Sequence, residues 1–268
     1  MTSRFAKNLH EAVFFAVKRQ KREGGFGATP RLPATLEDTF HALRIVDAVE
    51  QYCGLPNGVS INKKTHTKFL TDFLKNWNSR TAKGVYHLTW CLKWCGVTNL
   101  DKILTEKERN EVCKTQENLY YFLKIARLLN WHEHETCDRE KLFNIVSFKG
   151  ILFRRWTAIF INAATEAGLF DMNKAYNWIL ACRNYDGGFG FLPGSTSYLE
   201  NSHYALMALK ILGKGLDEPE ETTNFVLGCQ TGAGGFSRRA GAAPFLDATW
   251  HGSASLIALA KQESKMHS

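Results

Sequence analysis

A carboxylate and a histidine stand four residues apart at two places in the sequence, as Glu37 with His41 and as Asp247 with His251. On an α-helix this separation places both side chains on one face. Together they could bind a divalent metal or exchange protons with a substrate. A simpler role is also open, because an acidic residue at a helix start caps the helix and interacts favourably with its dipole. The spacing alone does not choose between these roles.

Both pairs belong to a phrase that the sequence repeats three times. Each copy has Gly-Gly-Phe, nine further residues, Leu, an acidic residue, one residue, and then Thr or Ser. The middle copy has Glu200 but carries Tyr204 in place of the histidine. Three copies in one register form an internal repeat, so they predict the architecture before any residue predicts the chemistry. The copies begin at Gly24, Gly187 and Gly234.

Apolar residues at helical spacing flank each copy, so the repeating unit is predicted to be a helix, a glycine-rich loop and a second helix. Clear units cover 8–54, 171–214 and 217–262. Weaker units are predicted between them, with helices at 68–77 and 87–95 and with Gly84-Val85-Tyr86 where the motif would stand. No alternating strand pattern is present, so the fold class is all-α with five or six helical hairpins. Such hairpins must stack to bury their faces, as a solenoid or a closed ring, in a single domain over 1–268.

The charge balance favours an anionic partner. The formal net charge is +8 and the isoelectric point about 9.1, which suits a diphosphate, a nucleic acid or a membrane surface. No Lys/Arg block or nucleic-acid motif is present, so we predict no nucleic-acid partner. No apolar run of about 18 residues predicts a membrane span. Seven cysteines without close pairing indicate reduced thiols in a cytoplasmic protein.

The three motif segments, each with its following helix, resemble the prenyltransferase and squalene–hopene cyclase repeat family. The likeness is nearest to β-subunit-like protein prenyltransferases and is carried by Gln20–Phe26, Cys182–Phe189 and Gln230–Phe236. It implies an α/α toroid with the glycine-rich loops at one rim and a central apolar funnel. In that family the funnel holds an isoprenoid diphosphate, and the prenyl group is transferred to an acceptor. The resemblance further implies a helical partner subunit or a peptide acceptor, and leaves the acceptor of this chain unknown.

The resemblance also implies zinc, but the ligand pattern is incomplete. The family uses an Asp-x-Cys pair at one inner helix and a His near the start of the last. Here Phe40 stands two residues after Asp38, at the position of the Cys in the family pattern. In the second motif Asn201 stands at the Asp position, and His203 follows two residues later. His251 matches the family's His. The residues left to hold zinc or magnesium are therefore Asp247, His251 and His203.

For the diphosphate the family uses basic residues near the rim. The adjacent pair Arg238-Arg239 suits that role best, because guanidinium forks match phosphate oxygens. Trp250 is expected to line the funnel. The substrate-binding candidates are thus Arg31, Arg238, Arg239, Tyr198 and Trp250, with Lys149, Arg154 and Arg155 in a weaker unit. The catalytic candidates are Glu37, Asp38, His41, Asp247 and His251.

Other functions stay open. The Asp-x-Asp-Asp acid of the cyclases is absent, and the adjacent carboxylates Glu37-Asp38 are the nearest substitute for an acid catalyst. A non-catalytic toroid that binds a lipid or a partner protein would need none of these groups. A carbohydrate-processing α/α barrel would need two carboxylates at a defined separation. The series His132, His134 and Cys137 has metal-like spacing, although its polar surroundings favour a surface loop.

Overall fold

The helices around the repeated motif are defined in a computed structural model that describes residues 4–78, 80–100, 103, 116–130 and 172–266. Within these ranges the chain forms nine α-helices and no strand, so the all-α prediction is confirmed. In chain order they are α1 (Ala6–Val17), α2 (Leu36–Cys53), α3 (Lys63–Lys75), α4 (Ala82–Trp94), α5 (Gln116–Leu129), α6 (Met172–Ala181), α7 (Leu199–Ile211), α8 (Pro219–Gly228) and α9 (Leu246–Met266). We call α2, α7 and α9 the motif helices, because each follows one Gly-Gly-Phe loop.

Two helices between the motifs begin earlier than the apolar periodicity predicts. The Asn62 side chain caps α3, and Thr81 caps α4 by accepting a hydrogen bond from the Gly84 N–H at 3.1 Å. The prediction that Gly84 and its two successors replace a motif loop is therefore wrong, since they lie in a helix. A Cβ atom at Gly84 would lie 2.7 Å from the Trp77 ring. The glycine serves close packing of that ring.

The Thr or Ser of each motif ties the loop to the helix that follows it. Each motif Phe is buried, and its N–H donates to the hydroxyl thirteen residues later at 2.9 Å. Each hydroxyl in turn donates to the carbonyl oxygen four residues before it. Each hydroxyl satisfies one buried backbone N–H. This structural role explains why Thr or Ser recurs at the same position of the repeat. The pairs are Phe26 with Thr39, Phe189 with Ser202, and Phe236 with Thr249.

The two glycines of each motif pack against a neighbouring helix. The first has a positive φ of 101°, 79° and 89° in chain order, which glycine adopts without strain. A Cβ atom there would lie 2.6, 2.3 or 2.7 Å from a backbone oxygen of that helix. The second glycine faces a Phe ring one turn further along the same helix. The helix residues in contact are Thr65 and Phe69, Glu221 and Phe225, and Glu11 and Phe15.

The third of these contacts joins the C-terminal motif to α1. Further contacts hold α1 in place: Asn8 donates to the Gln230 side chain at 2.6 Å, and Arg4 pairs with Glu220 at 2.8 Å and with Glu263 at 2.5 Å. The two glutamates raise the pKa of Arg4 through hydrogen bonds to its guanidinium. Helix α1 therefore closes the last repeat in the manner in which α3 and α8 close the other two.

The chain divides into two compact units. One comprises Met1–Lys18, Arg44–Val59 and Phe148–Ser268, and contains α1 and α6 to α9. The other comprises Arg19–Leu43 and Ser60–Ser147, and contains α3 to α5. The division falls within α2, whose first turns belong to the second unit. Each unit has its own core, with Phe236, Leu256 and Leu259 fully buried in the first and Phe26, Leu70 and Leu88 in the second. The single domain over 1–268 stays a prediction.

Two further predictions concern the environment of the chain. No helix in the described part is long and apolar enough to cross a membrane. The cysteines described there are free thiols, and burial raises the pKa of Cys182 and of Cys229 to about 11. They are Cys53, Cys91, Cys95, Cys182 and Cys229. Burial thus keeps the last two protonated and unreactive at neutral pH.

Candidate functional site

The acidic residues of the motifs lie in the first turns of the motif helices. Glu37 and Asp38 begin α2, Glu200 begins α7 and Asp247 begins α9. This position gives each carboxylate the favourable end of the helix dipole, as the repeat predicts. Their surroundings differ, so each needs a separate description.

Asp38 takes part in a local cap. Its Oδ2 accepts a hydrogen bond from the Thr35 hydroxyl at 2.7 Å, and its N–H donates to Thr35 Oγ1 at 3.0 Å. These reciprocal bonds begin α2 and account for both residue types. The geometry matches the simpler of the two roles that the sequence leaves open. A catalytic role for Asp38 stays a prediction.

Glu37 lies between a histidine and a lysine. His41 Nε2 lies 4.0 Å from Glu37 Oε1, as the separation of four residues predicts. Lys83 of α4 forms an ion pair with the same oxygen. His41 is almost buried, whereas the Glu37 side chain is 57% exposed, so solvent can reach the carboxylate and screens its charge. No sequence motif singles out Lys83, because only the packing of α4 beside the start of α2 brings it to Glu37.

Phe40 fills the place at which the family would have a zinc-binding cysteine. Its ring stacks on His87 of α4, with centroids 3.9 Å apart and planes within 6°. Tyr86 and Trp90 meet its edge at 5.5 Å. Phe40 and His87 are both buried. Phe40 therefore places an aromatic ring at the position of the thiolate donor in the family pattern.

The second group of candidate residues lies on α7 and α9. The rings of His203 and His251 lie 5.0 Å apart, and Tyr204 meets His251 at 5.5 Å. Trp250 lies 6.0 Å from His203, and the Arg44 guanidinium lies over Trp250 at 4.2 Å. We call these five residues the C-terminal cluster. Both histidines are buried, so the cluster offers imidazole groups in an aromatic surrounding.

A basic rim lies where α9 begins. Arg238 Nη2 lies 3.1 Å from Asp247 Oδ2, and Asp247 Oδ1 accepts from the Ala248 N–H at 2.8 Å. The backbone carbonyl of Arg238 accepts from the Leu199 N–H at 2.9 Å, which joins the loops before α7 and α9. Tyr198 lies beside that junction and is exposed. Asp247 and His251 stand one turn apart on α9, so the rim leads to the C-terminal cluster.

The remaining substrate-binding candidates are distributed between the units. Arg239 is exposed next to Arg238. Arg31 is exposed in the first motif loop, where its N–H lies 3.3 Å from the Thr29 hydroxyl. Lys149, Arg154 and Arg155 lie outside the described residues, as do His132, His134 and Cys137. The structure thus brings Tyr198, Arg238 and Asp247 together at the rim.

The described residues do not form a recognisable metal site. No three His, Cys, Asp or Glu side chains in the described ranges are placed to hold a metal ion. Of the three predicted ligands, His203 and His251 are neighbours, but Asp247 directs one oxygen at Arg238 and the other at a backbone N–H. Zinc or magnesium binding by these residues stays a prediction.

Two residues of the C-terminal cluster could not be found from the motif. Tyr204 stands at the histidine position of the middle copy, so the repeat predicts no acid–histidine pair there. Arg44 lies near the middle of α2, far in sequence from Trp250. Only tertiary packing brings it to the ring, so no local signal predicts it. Tyr204 and Arg44 therefore belong to the cluster, although no sequence motif predicts either residue at a functional site.

Comparison with known proteins agrees with this architecture. The family described as "Prenyltransferase alpha-alpha toroid domain" matches residues 61–263, most of the chain. Over 43 residues the chain is 44% identical to the Geranylgeranyl transferase type-1 subunit beta of Arabidopsis thaliana, a match that covers 16% of this chain and 12% of that protein. The matched part of that relative is short, so the comparison bears on family and not on substrate. The predicted α/α toroid is confirmed, and the chain belongs to the prenyltransferase alpha-alpha toroid domain family.

Proposed function

We propose that this chain binds an isoprenoid diphosphate and transfers its prenyl group to an acceptor. Family membership supports the class of substrate. The observation that carries the proposal is the arrangement at the start of α9, where Arg238 and Asp247 lie one turn from the C-terminal cluster. A cationic group for the diphosphate thus lies next to aromatic and imidazole rings for the prenyl chain.

The basic rim would hold the diphosphate. Asp247 engages one guanidinium nitrogen of Arg238, and this contact orients a side chain whose other N–H groups stay available. Arg239 adds a second guanidinium beside it. Paired forks of this kind suit the oxygens of a diphosphate. The rim would therefore stabilise the charge that develops on the leaving group.

Transfer would proceed by breaking the C1–O bond of the allylic diphosphate, with the electron pair leaving on the diphosphate. Tyr204, and Trp250 on the ring face away from Arg44, would offer π surfaces to the cationic prenyl group. A lone pair of the acceptor forms the new bond to C1. The acceptor proton passes to the imidazole of His251, which lies one turn from Asp247 and beside His203. Bonds and charges balance without a further reactant.

The short match to a transferase β subunit suggests a second subunit for this chain as well. We therefore include a helical partner or a peptide acceptor in the proposal. The free thiols of the described cysteines support a reducing compartment such as the cytoplasm.

Titration of the purified chain with farnesyl and geranylgeranyl diphosphate tests the proposal, with tryptophan fluorescence or calorimetry as the readout. We expect Arg238→Ala and Arg239→Ala each to weaken binding about tenfold, since each removes charge-assisted hydrogen bonds. Lys210→Ala is the matched control, because Lys210 is exposed in the last turn of α7, at the opposite end from the rim. If neither diphosphate binds, with or without zinc or magnesium, the proposal is overturned and a non-catalytic toroid is favoured.

A further inference from the structure

The segment between α2 and α3 contains the one Asn-Gly step of the sequence, Asn57-Gly58. Where glycine follows asparagine, the peptide nitrogen can approach the side-chain carbonyl carbon with little hindrance, because glycine has no Cβ atom. Attack at that carbon converts the asparagine without an enzyme. A fold prevents this reaction where it holds either group in place, so the surroundings of Asn57 decide whether the reaction occurs.

Both residues are exposed at the tip of a β-turn. The Val59 N–H donates to the carbonyl oxygen of Pro56 at 3.2 Å, and Pro56 is buried. Gly58 has φ of 79°, which is typical of the third residue of a type II turn. A Cβ atom at Gly58 would have no atom within 4 Å apart from its chain neighbours. The turn is therefore anchored at Pro56 and open around Gly58.

The two reacting groups are not engaged by the described part of the chain. No hydrogen bond to the Asn57 carboxamide is found there, and none from the Gly58 N–H. The carboxamide can therefore turn toward the Gly58 nitrogen without breaking a hydrogen bond to another residue of that part.

The one Asp-Gly step of the sequence, Asp186-Gly187, can react in the same way but is held by its neighbours. Asp186 Oδ1 accepts hydrogen bonds from the Gly188 N–H at 3.0 Å and from the Ser197 hydroxyl at 2.8 Å. The Gly187 N–H donates to the Asn184 carbonyl oxygen at 3.0 Å. Both groups that would have to meet are thus fixed by partners, so this step is an internal control for Asn57.

We propose that Asn57 is a site of spontaneous modification in the folded chain, where it is converted through a cyclic imide to aspartate and isoaspartate. The Gly58 nitrogen loses its proton to hydroxide and forms a bond to Asn57 Cγ. The bond from Cγ to Nδ2 breaks, and Nδ2 leaves as ammonia after taking a proton from water. Water then opens the ring. Opening at Cγ gives aspartate, and opening at the main-chain carbonyl carbon gives isoaspartate.

The products differ from asparagine in charge and in the length of the main chain. Either product adds one negative charge to the segment that leads into α3. The isoaspartyl product also adds one methylene group to the main chain and leaves a free α-carboxylate. That carboxylate makes the aged chain a substrate for a methyltransferase that recognises isoaspartate. The modification does not depend on prenyl transfer, so it can be tested without any isoprenoid.

Incubation of the full chain in mildly alkaline buffer, followed by peptide mass spectrometry, tests the proposal. We expect the peptide that contains Asn57 to gain about 1 Da. A protein L-isoaspartyl methyltransferase with labelled S-adenosylmethionine should methylate the same peptide. Incubation in urea gives the rates for the unfolded chain. Folding should slow the conversion of Asn57 by less than about threefold, whereas it should slow isoaspartate formation at Asp186 by at least about tenfold.

Two alanine variants separate a local cause from a general one. Gly58→Ala should slow the conversion of Asn57 at least about tenfold, since the added Cβ atom hinders the attack. Gly96→Ala is the matched control, because Gly96 also has a positive φ, of 96°, and open space around it but follows no asparagine. It should leave the rate at Asn57 unchanged.

The proposal is overturned if folding slows Asn57 as much as it slows Asp186, or if the two alanine variants slow the conversion equally. Circular dichroism of each variant shows whether its fold is kept. Neither result bears on the diphosphate titration, so this proposal and the proposed function fail separately.

Discussion

His66 Nδ1 accepts a hydrogen bond from the Gly25 N–H at 3.0 Å, and the His66 ring stacks on Phe26 with centroids 5.1 Å apart. Gly25 and Phe26 belong to the first motif, whereas His66 lies on α3, the helix that packs on this loop. Accepting that bond requires an unprotonated Nδ1. His66 Nε2 then carries the proton. The Gln20 amide nitrogen, itself a donor, lies 3.4 Å from it, so the two side chains form a hydrogen bond only when the amide oxygen is turned toward the ring. The first motif loop is therefore held by a neutral imidazole.

This contact predicts a loss of stability in mild acid. Burial lowers the pKa of His66 from its ordinary value of 6.5 to about 4 in the folded chain. Because the unfolded chain binds the proton more readily, stability is highest above pH 6.5 and falls as the pH drops from 6.5 towards 4. The loss attributable to this residue approaches about 3 kcal/mol. Urea unfolding at a series of pH values measures it.

A His66→Gln variant should be less stable at neutral pH but should lose less stability between pH 6.5 and 4. His10→Gln is the matched control, because it removes a histidine that contacts Gly54 and no motif loop. If both variants keep the full acid-dependent loss of the unchanged chain, His66 is not its source.

The contact between the C-terminal motif and α1 predicts a large effect of one methyl group. Gly234 has φ of 89°, and a Cβ atom there would lie 2.7 Å from the Glu11 backbone oxygen. Gly234→Ala should therefore destabilise the chain by more than about 2 kcal/mol. Gly241→Ala serves as the control, because Gly241 has φ of 78° but open space around it, and should cost about 1 kcal/mol. Equal losses in urea unfolding would contradict the proposed packing of this loop on α1.

His251 is expected to affect transfer more than binding. In the proposed reaction it takes the acceptor proton, so His251→Phe should lower kcat about hundredfold or more while diphosphate affinity changes little. Release of pyrophosphate with a small thiol as acceptor measures the rate. His10→Phe is the control. A variant that weakens diphosphate binding and leaves kcat unchanged would assign His251 to the binding of substrate alone.

The repeat could be predicted from the sequence because its residues act locally. The glycines, the buried Phe and the Thr or Ser thirteen residues later all interact within one loop, one helix start and the helix beside them. The constant spacing therefore predicts a structural contact for the Thr or Ser of each motif. The spacing does not show whether a carboxylate is a helix cap or a catalyst, because for Asp38 this depends on the position of the Thr35 hydroxyl.

The partners of the candidate site could not be predicted, because they come from distant parts of the chain. Lys83 reaches Glu37 across 46 positions, and Arg44 reaches Trp250 only through the packing of α2 in its unit. The prediction of a motif loop at Gly84 fails for a related reason. The glycine allows close packing against the Trp77 ring and does not form a turn. Composition and periodicity carry no information on such contacts.

The attachment of α1 to the last repeat has a consequence for synthesis. Asn8 and Gln230 are bonded although 222 positions separate them, and Arg4 and Glu263 are 259 positions apart. On the ribosome α1 is made before Gln230, Gly234 and Glu263, so its contacts with these residues form only after the third motif and α9 have followed. Contacts between residues so far apart in sequence form slowly during folding. The complete packing of this unit therefore requires the synthesis of α9, long after that of α1.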